Sequence, residues 1–253
     1  MTPKPSIGKP SVAKPFIGKP FIEGVNPFGV GGSQWNEEEL RAVTPEQESA
    51  RGAADAVRRM IRALETTTAS IDDLDALAGV LDALTAGLET ELDRSTDEGD
   101  TGLSIRQAHR LRERSPFIGR ANPVALPLEM EFLDGRIEAK VTFGTLYEGP
   151  PGCLHGGYIA GIFDEILGAA QTFSGQAGMT GRLTVHYRSP TPLDTELTLK
   201  AELDSVSGRK ILCKGTLWAG DRLCAEAEGL FIAINPERVA EMMAIAEAAV
   251  NAD

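Results

Sequence analysis

Residues 147–167 read Y-E-G-P-P-G-C-L-H-G-G-Y-I-A-G-I-F-D-E-I-L. Gly149, Pro150, Pro151 and Gly152 make the first part a turn-rich loop, because proline fixes φ and glycine supplies conformations that other residues avoid. The loop ends in His155-Gly156-Gly157, and an apolar run long enough for a helix follows at once. A helix that starts at two glycines leaves backbone N–H groups uncovered at its positive end, where they can polarise an oxygen. The only charges in the run are Asp164 and Glu165. A carboxylate on an otherwise apolar helix is costly unless it is paired, hydrogen-bonded or used.

Helix geometry adds a constraint. At about 1.5 Å rise per residue, Asp164 lies roughly 12 Å along the axis from Gly156. One helix therefore cannot bring its own Gly156 N–H and its own Asp164 to one small group. If both act on one carbonyl, two copies of the helix must lie side by side in opposite directions. That predicts a two-fold dimer with sites at its interface.

The flanks read as β-structure. Pro127–Leu133 and Arg136–Phe143 are strands around an Asp134-Gly135 hairpin turn. The helical pattern ends near Ser174-Gly175, and four extended segments follow: Gly181–Arg188, Glu196–Ser205, Lys210–Ala219 and Arg222–Ile234. Alternation such as Leu197, Leu199, Ala201, Leu203 fits an antiparallel sheet with one buried face. Two strands, a central helix and four strands predict an α+β layer fold. Asn235-Pro236-Glu237 then caps a last amphipathic helix to about Val250.

E-G-P-P-G-C-L-H-G-G, followed after six residues by Asp164-Glu165, closely resembles the hotdog-fold acyl-CoA thioesterases. The branch is the phenylacetyl-CoA thioesterase-like group and the related human thioesterase superfamily members. The similarity continues through Leu183–Pro190 and Ala225–Phe231 and covers roughly residues 112–235. The resemblance implies an antiparallel sheet wrapped around the central helix and hydrolysis of an acyl-CoA substrate. It places the catalytic carboxylate at Asp164, as general base for water or as nucleophile. Thr180 stands at the family position of a Ser or Thr that orients the attacking water, and a strand-edge threonine is the plain alternative. Gly156 is the candidate oxyanion donor through its N–H, and Gly157 permits close approach of the acyl chain or backbone. His155 takes a supporting role in fixing the loop and positioning the thioester, and Glu165 that of a salt-bridge or supporting residue. Arg209-Lys210, at a strand turn, are candidates for the CoA phosphates or an ordinary solvated turn.

Composition narrows the classes. The 253 residues allow one sizeable domain plus an extension. A net charge of −12 argues against general nucleic-acid binding and requires a CoA site to gather its few cations locally. Cys153, Cys213 and Cys224 are odd in number, without metal-like spacing, so no metal is expected and the reading is a reduced, cytoplasmic protein. Cys153 reads as a packing residue, because residues two apart in a Pro/Gly loop rarely align as nucleophile and base. No Walker, dinucleotide or zinc pattern is present, so no cofactor is expected. No run is apolar and long enough to span a membrane.

Four segments follow from these patterns: a flexible arm and Gly-rich linker at 1–36, a helical hairpin at 37–94, a linker at 95–114 and the hotdog domain at 115–253. Residues 4–22 repeat K-P-S-I-G, K-P-S-V-A, K-P-F-I-G, K-P-F-I, with proline every fifth residue blocking a helix. The arm reads either as a low-complexity tail or as a multivalent docking peptide for a protein partner. Its Phe16-Ile17-Gly18 unit echoes Ser115–Arg120, and Phe21–Pro27 echoes Phe117–Pro123. Thr44-Pro45-Glu46-Gln47 is a capping box opening one helix, and Ser70-Ile71-Asp72-Asp73 opens a second. The pair is expected to pack on the sheet domain or on a partner copy. Assembly as a homodimer or a dimer of dimers is expected, in lipid metabolism. Besides acyl-CoA hydrolysis, two alternatives stand: a non-catalytic acyl-CoA-binding or assembly protein recruited through the arm, and a hotdog hydratase or dehydratase.

Overall fold

The structure, a computed structural model, describes residues 43–89, 113–126, 128–176 and 178–235. The Lys-Pro arm, the polar linker at 95–102 and the expected C-terminal helix lie outside the described residues. Six strands follow in order: β1 Glu129–Leu133, β2 Arg136–Val141, β3 Gly178–Tyr187, β4 Leu197–Ser207, β5 Lys210–Ala219 and β6 Arg222–Ala233. They form one sheet in the order β1-β2-β4-β5-β6-β3, and every neighbouring pair is antiparallel. The central helix, α3 in chain order, spans Gly156–Ala170 and continues as a 3-10 turn over Gln171–Ser174. It packs against β2 to β6, which is the hotdog arrangement.

Period-two patterning explains which face is covered. Ile137, Ala139 and Val141 on β2, Leu197, Leu199 and Ala201 on β4, and Ile211, Cys213 and Leu217 on β5 are all buried. Their alternates, such as Lys200, Glu202, Lys214 and Glu228, stand on the outer face, where Lys214 pairs with Asp204 at 2.7 Å. From the helix, Ile159, Ile162, Phe163, Ile166, Leu167 and Ala170 meet the inner face. Burying each large side chain contributes about 1.5–3 kcal/mol, so this layer is the main stabilising term. Close approach is set at two glycines. A Cβ at Gly229 would come within 3.2 Å of Leu167, and one at Gly215 within 3.3 Å of both Leu167 and Phe163. The helix therefore lies directly on strand backbone at these points.

A bulge in β3 aims the strand at the helix. Thr180 pairs with Phe231 and Arg182 with Leu230, so Gly181 is an extra residue in the ladder. Side chains alternate faces along a strand, so if Gly181 were paired like its neighbours Thr180 would oppose Leu183 and Val185. With the bulge, Thr180, Leu183, Val185 and Tyr187 all face α3: Leu183 and Val185 pack on the core, and Thr180 and Tyr187 bond to the helix. The strand also begins at Gly178, three residues before the sequence pattern placed it.

Two helices precede the sheet. The first, α1, spans Pro45–Thr66; Thr44 accepts from the Gln47 N–H and the Gln47 side chain accepts from the Thr44 N–H, the capping box expected. The second, α2, spans Ile71–Glu89, with Ser70 Oγ accepting the Asp73 N–H. α1 attaches to a strap at residues 113–126. Arg51 makes a two-point ion pair with Glu113 at 2.6 and 2.8 Å. The Arg58 guanidinium donates to the carbonyls of Gly119, Arg120 and Asn122. By contrast α2 has no buried residue, and Ile71, Leu84 and Leu88 are exposed.

Candidate active site

The loop before α3 is fixed by its own backbone. His155 N–H donates to Tyr147 O, Gly149 N–H to Cys153 O, and Leu154 N–H to Thr191 O, each at 2.9 Å. The Gly152 N–H donates to Glu148 Oε1 at 2.6 Å. Gly149 is required: a Cβ there would sit 2.8 Å from His155 Cα. Tyr147 meets Tyr158 edge-on at 5.0 Å between ring centroids, and Tyr158 meets His155 at 6.3 Å.

His155 caps the helix. Its Nδ1 accepts the Gly157 N–H at 3.0 Å, which leaves the ring proton on Nε2 in the neutral imidazole. Its carbonyl accepts from the N–H groups of Tyr158 and Ile159, at 3.0 and 3.3 Å. The two glycines are thereby distinguished. Gly157 N–H is engaged, whereas Gly156 N–H has no acceptor among the described residues. Tyr187, from the far end of β3, donates its hydroxyl to Gly156 O at 3.0 Å. Sequence reading passed over Tyr187. Its signal was parity: with one residue added at the bulge, it falls on the same strand face as Thr180.

Asp164 stands two turns along the helix, on the face away from the buried stripe, and is exposed. Thr180 Oγ1 donates to Asp164 Oδ1 at 2.9 Å, so these two predicted residues are brought together across sixteen residues of chain. Glu165 is half-buried; burial first, then the Asp164 charge, hold its carboxyl above the ordinary carboxylate range. The sheet end near Thr180 also carries the β4–β5 turn, because Ile211 pairs with Phe231, which pairs with Thr180. There Arg209 Nε donates to Ala233 O at 3.0 Å, tying its guanidinium to the end of β6, and Lys210 is exposed. His155, Gly156 and Gly157 stay at the other end of α3. The candidate residues thus fall in two groups: a donor half at the helix start and an acid half at its middle.

Cys153 is half-buried in the loop. The thiol of Cys213 is pushed up to about 12, by burial and then by Asp204, which makes it a packing group. A depression of about 500 Å³ opens on the outer face of the sheet among Lys200, Glu202, Lys214 and Glu226, and none of the predicted site residues lines it. Among the described residues no group of three or more His, Cys, Asp or Glu side chains is placed to hold a metal ion. Nor is any described helix long and apolar enough to cross a membrane.

Known proteins resemble the chain in this same region. Residues 151–226, from the loop through α3 to β6, match the family model described as Thioesterase superfamily. The crystal structure of a thioesterase superfamily protein superposes with a TM-score of 0.63 at 35% identity, covering 72% of this chain and 94% of that one. The chain belongs to the thioesterase superfamily. Among curated relatives, the acyl-coenzyme A thioesterase THEM4 of Bos taurus is 36% identical over 97 residues, which is 38% of this chain and 40% of the relative. The acyl-coenzyme A thioesterase THEM5 of Homo sapiens is 27% identical over 96 residues, 37% of this chain and 39% of the relative. The chain spans about two fifths of the length of these relatives.

Proposed function

We propose that the chain hydrolyses acyl-CoA thioesters to a free acid and CoA, in a site completed by a second copy. The observation that carries this reading is the Asp164–Thr180 pair, held at 2.9 Å on the exposed face of the central helix. The relatives named acyl-coenzyme A thioesterases support the substrate class. In this reading Asp164 accepts a proton from water, or attacks directly, while Thr180 fixes the carboxylate and the water. The water oxygen bonds to the thioester carbon, the carbon–sulfur bond breaks, and the thiolate takes a proton to leave as CoA thiol. The Gly156 N–H stabilises the oxyanion. Gly157 lets the acyl group pass close to the helix, and the His155 Nε2–H supports the carbonyl from the loop. With Nδ1 occupied by the Gly157 N–H, the histidine is placed as a donor rather than as the base that hydration chemistry uses.

The two-copy requirement follows from the roughly 12 Å rise between Gly156 and Asp164. β3 is an edge strand with Met179 52% and Tyr187 56% exposed, so pairing with its own copy would extend the sheet and cover them. Antiparallel central helices would then set the donor half of one chain against the acid half of the other. CoA phosphates would meet Lys210 and the Arg209 turn, at the sheet end nearest Thr180.

The test mixes two variants. Asp164→Asn removes the base. Gly156→Pro removes the N–H at a helix position that tolerates proline; His155 (φ −62°, ψ 133°) already has the extended backbone favoured before proline. Each alone is expected to be nearly inactive over a panel of acyl-CoAs. Unfolded and refolded together, their heterodimers are expected to carry one intact site and recover activity. Heterodimers without activity would place the whole site in one chain. An active Asp164→Asn homodimer would remove the mechanism altogether.

A further inference from the structure

The strap between α1 and β1 rests on the central helix through one ring. A Cβ at Gly161 would lie 2.4 and 2.5 Å from two carbons of the Phe117 ring, so the ring sits directly on helix backbone, one turn before Asp164. The strap is tightly wound. Ser115 Oγ accepts the N–H groups of Phe117 and Ile118, and the Gly119 N–H donates to Ser115 O. Gly119 is buried, and a Cβ there would lie 2.5 Å from the carbonyl oxygens of Glu113 and Ser115. From α1, Arg58 gathers the strap carbonyls. The seat on α3 therefore takes the ring, and the turn that presents the ring requires a residue with no side chain two positions later.

The same string occurs elsewhere in the chain. Ser115-Pro116-Phe117-Ile118-Gly119-Arg120 is matched by Lys14-Pro15-Phe16-Ile17-Gly18-Lys19 in the arm: Pro-Phe-Ile-Gly is identical and a cation follows in both. We propose that Pro15–Gly18 of the arm is a second occupant of the Phe117 seat on α3, taken from the same chain whenever the strap lifts away. The structure separates this unit from its neighbours. Phe21-Ile22 is followed by Glu23 where the strap needs Gly119, and the first two repeats carry serine in place of the ring. The arm copy is also the weaker ligand. Lys14 replaces the Ser115 hydroxyl that winds the strap, and Pro20 stands where the Ala121 N–H donates to Glu113 O at 3.1 Å. The strap therefore holds the seat, and the arm captures it when the strap opens. Reach is sufficient. About 25 residues separate Gly18 from Thr44, and a random coil of that length would span roughly 28 Å. Arg58, which touches the strap, lies roughly 21 Å along α1 from Thr44.

Amide hydrogen exchange on the full chain tests this without relying on the hydrolytic reading. Strap opening frees the Gly119 and Ala121 N–H groups, and an arm that captures the vacated seat raises the open population. Phe16→Ala and Gly18→Ala change none of the described strand or core residues, and each is expected to slow exchange at Gly119 and Ala121 by at least about threefold. Phe21→Ala is expected to leave it unchanged. Equal exchange in the parent and in Phe16→Ala would overturn the proposal. So would equal slowing by Phe21→Ala, because any apolar arm residue would then suffice. Exchange in Gly18→Ala that matches the parent would also overturn it, because the arm would then not present its ring on the strap's turn.

Discussion

Around the first turn of α3 the bonds are mostly short-range: the His155 carbonyl accepts two helix N–H groups, its ring accepts a third, and Tyr187 caps Gly156 O, while the Gly156 N–H has no acceptor among the described residues. Two turns on, Asp164 stands exposed with one hydrogen bond, from Thr180. The donor half is shaped by short-range backbone bonds within one loop and one helix. The acid half depends on a strand reaching the helix from sixteen residues away, through a bulge. A local half can be rigid in a single chain, whereas a long-range half is only as well placed as the sheet that carries it. Substitutions at the two ends should therefore fail in different ways.

The largest expected effect is at the acid. Asp164→Asn keeps the shape and is expected to lower turnover at least about 100-fold, the usual scale for a positioned acid–base group. KM for acyl-CoA should change little, and a variant at the parent rate would remove Asp164 from the chemistry. Next is Gly156→Pro, where losing one oxyanion donor is expected to cost about 100- to 1,000-fold in kcat. Because the donor half is local, the thermal midpoint of this variant should stay near the parent's, and a large drop would show that the N–H is structural.

Thr180→Ala sharpens the contrast. It takes from Asp164 the hydroxyl that the bulge aims at it. Turnover is expected to fall about tenfold under the parent, the worth of one hydrogen bond to a charged group. Full activity in this variant would mean that Thr180 does not act through Asp164. Tyr187→Phe removes only the bond to Gly156 O and is expected to cost about 1 kcal/mol of stability, read by chemical denaturation.

The smallest effect is a gain. Burial and the Asp164 charge raise the Glu165 carboxyl, so the folded chain holds that proton more tightly than the unfolded chain. Stability should therefore decline as pH rises from the ordinary carboxylate range through the raised value. Glu165→Gln is expected to unfold at a slightly higher temperature at neutral pH, with no advantage in acid. An advantage of the same size at low pH would mean that packing, not charge, sets it.

Much of this was legible in the chain. Local signals read well: the loop and start of α3, the capping box at Thr44, and the turn at Gly135, with φ 73°. Asp164 and Thr180 were each singled out by resemblance, and the structure brings them into contact. Period-two patterning placed four later strands within a few residues, and β4, β5 and β6 carry buried residues on one face. What could not be read was parity. Gly181 looks like the start of a strand, but it is an extra residue inside one, and only the pairing with Phe231 and Leu230 shows it. Tyr187 was passed over for the same reason. The Phe117 contact with Gly161 was also invisible, since neither residue shows from local pattern that the other lies against it.

The peptide unit joining His155 to Gly156 has one more consequence. Its carbonyl accepts two N–H groups while its own N–H has no acceptor among the described residues. Electron density drawn toward that oxygen leaves the nitrogen's hydrogen more acidic, because hydrogen bonds on one side of an amide strengthen the donor on the other. The first turn of α3 thus tunes a single proton: the tighter Tyr158 and Ile159 hold the carbonyl, the harder the Gly156 N–H pulls on any oxygen brought to it.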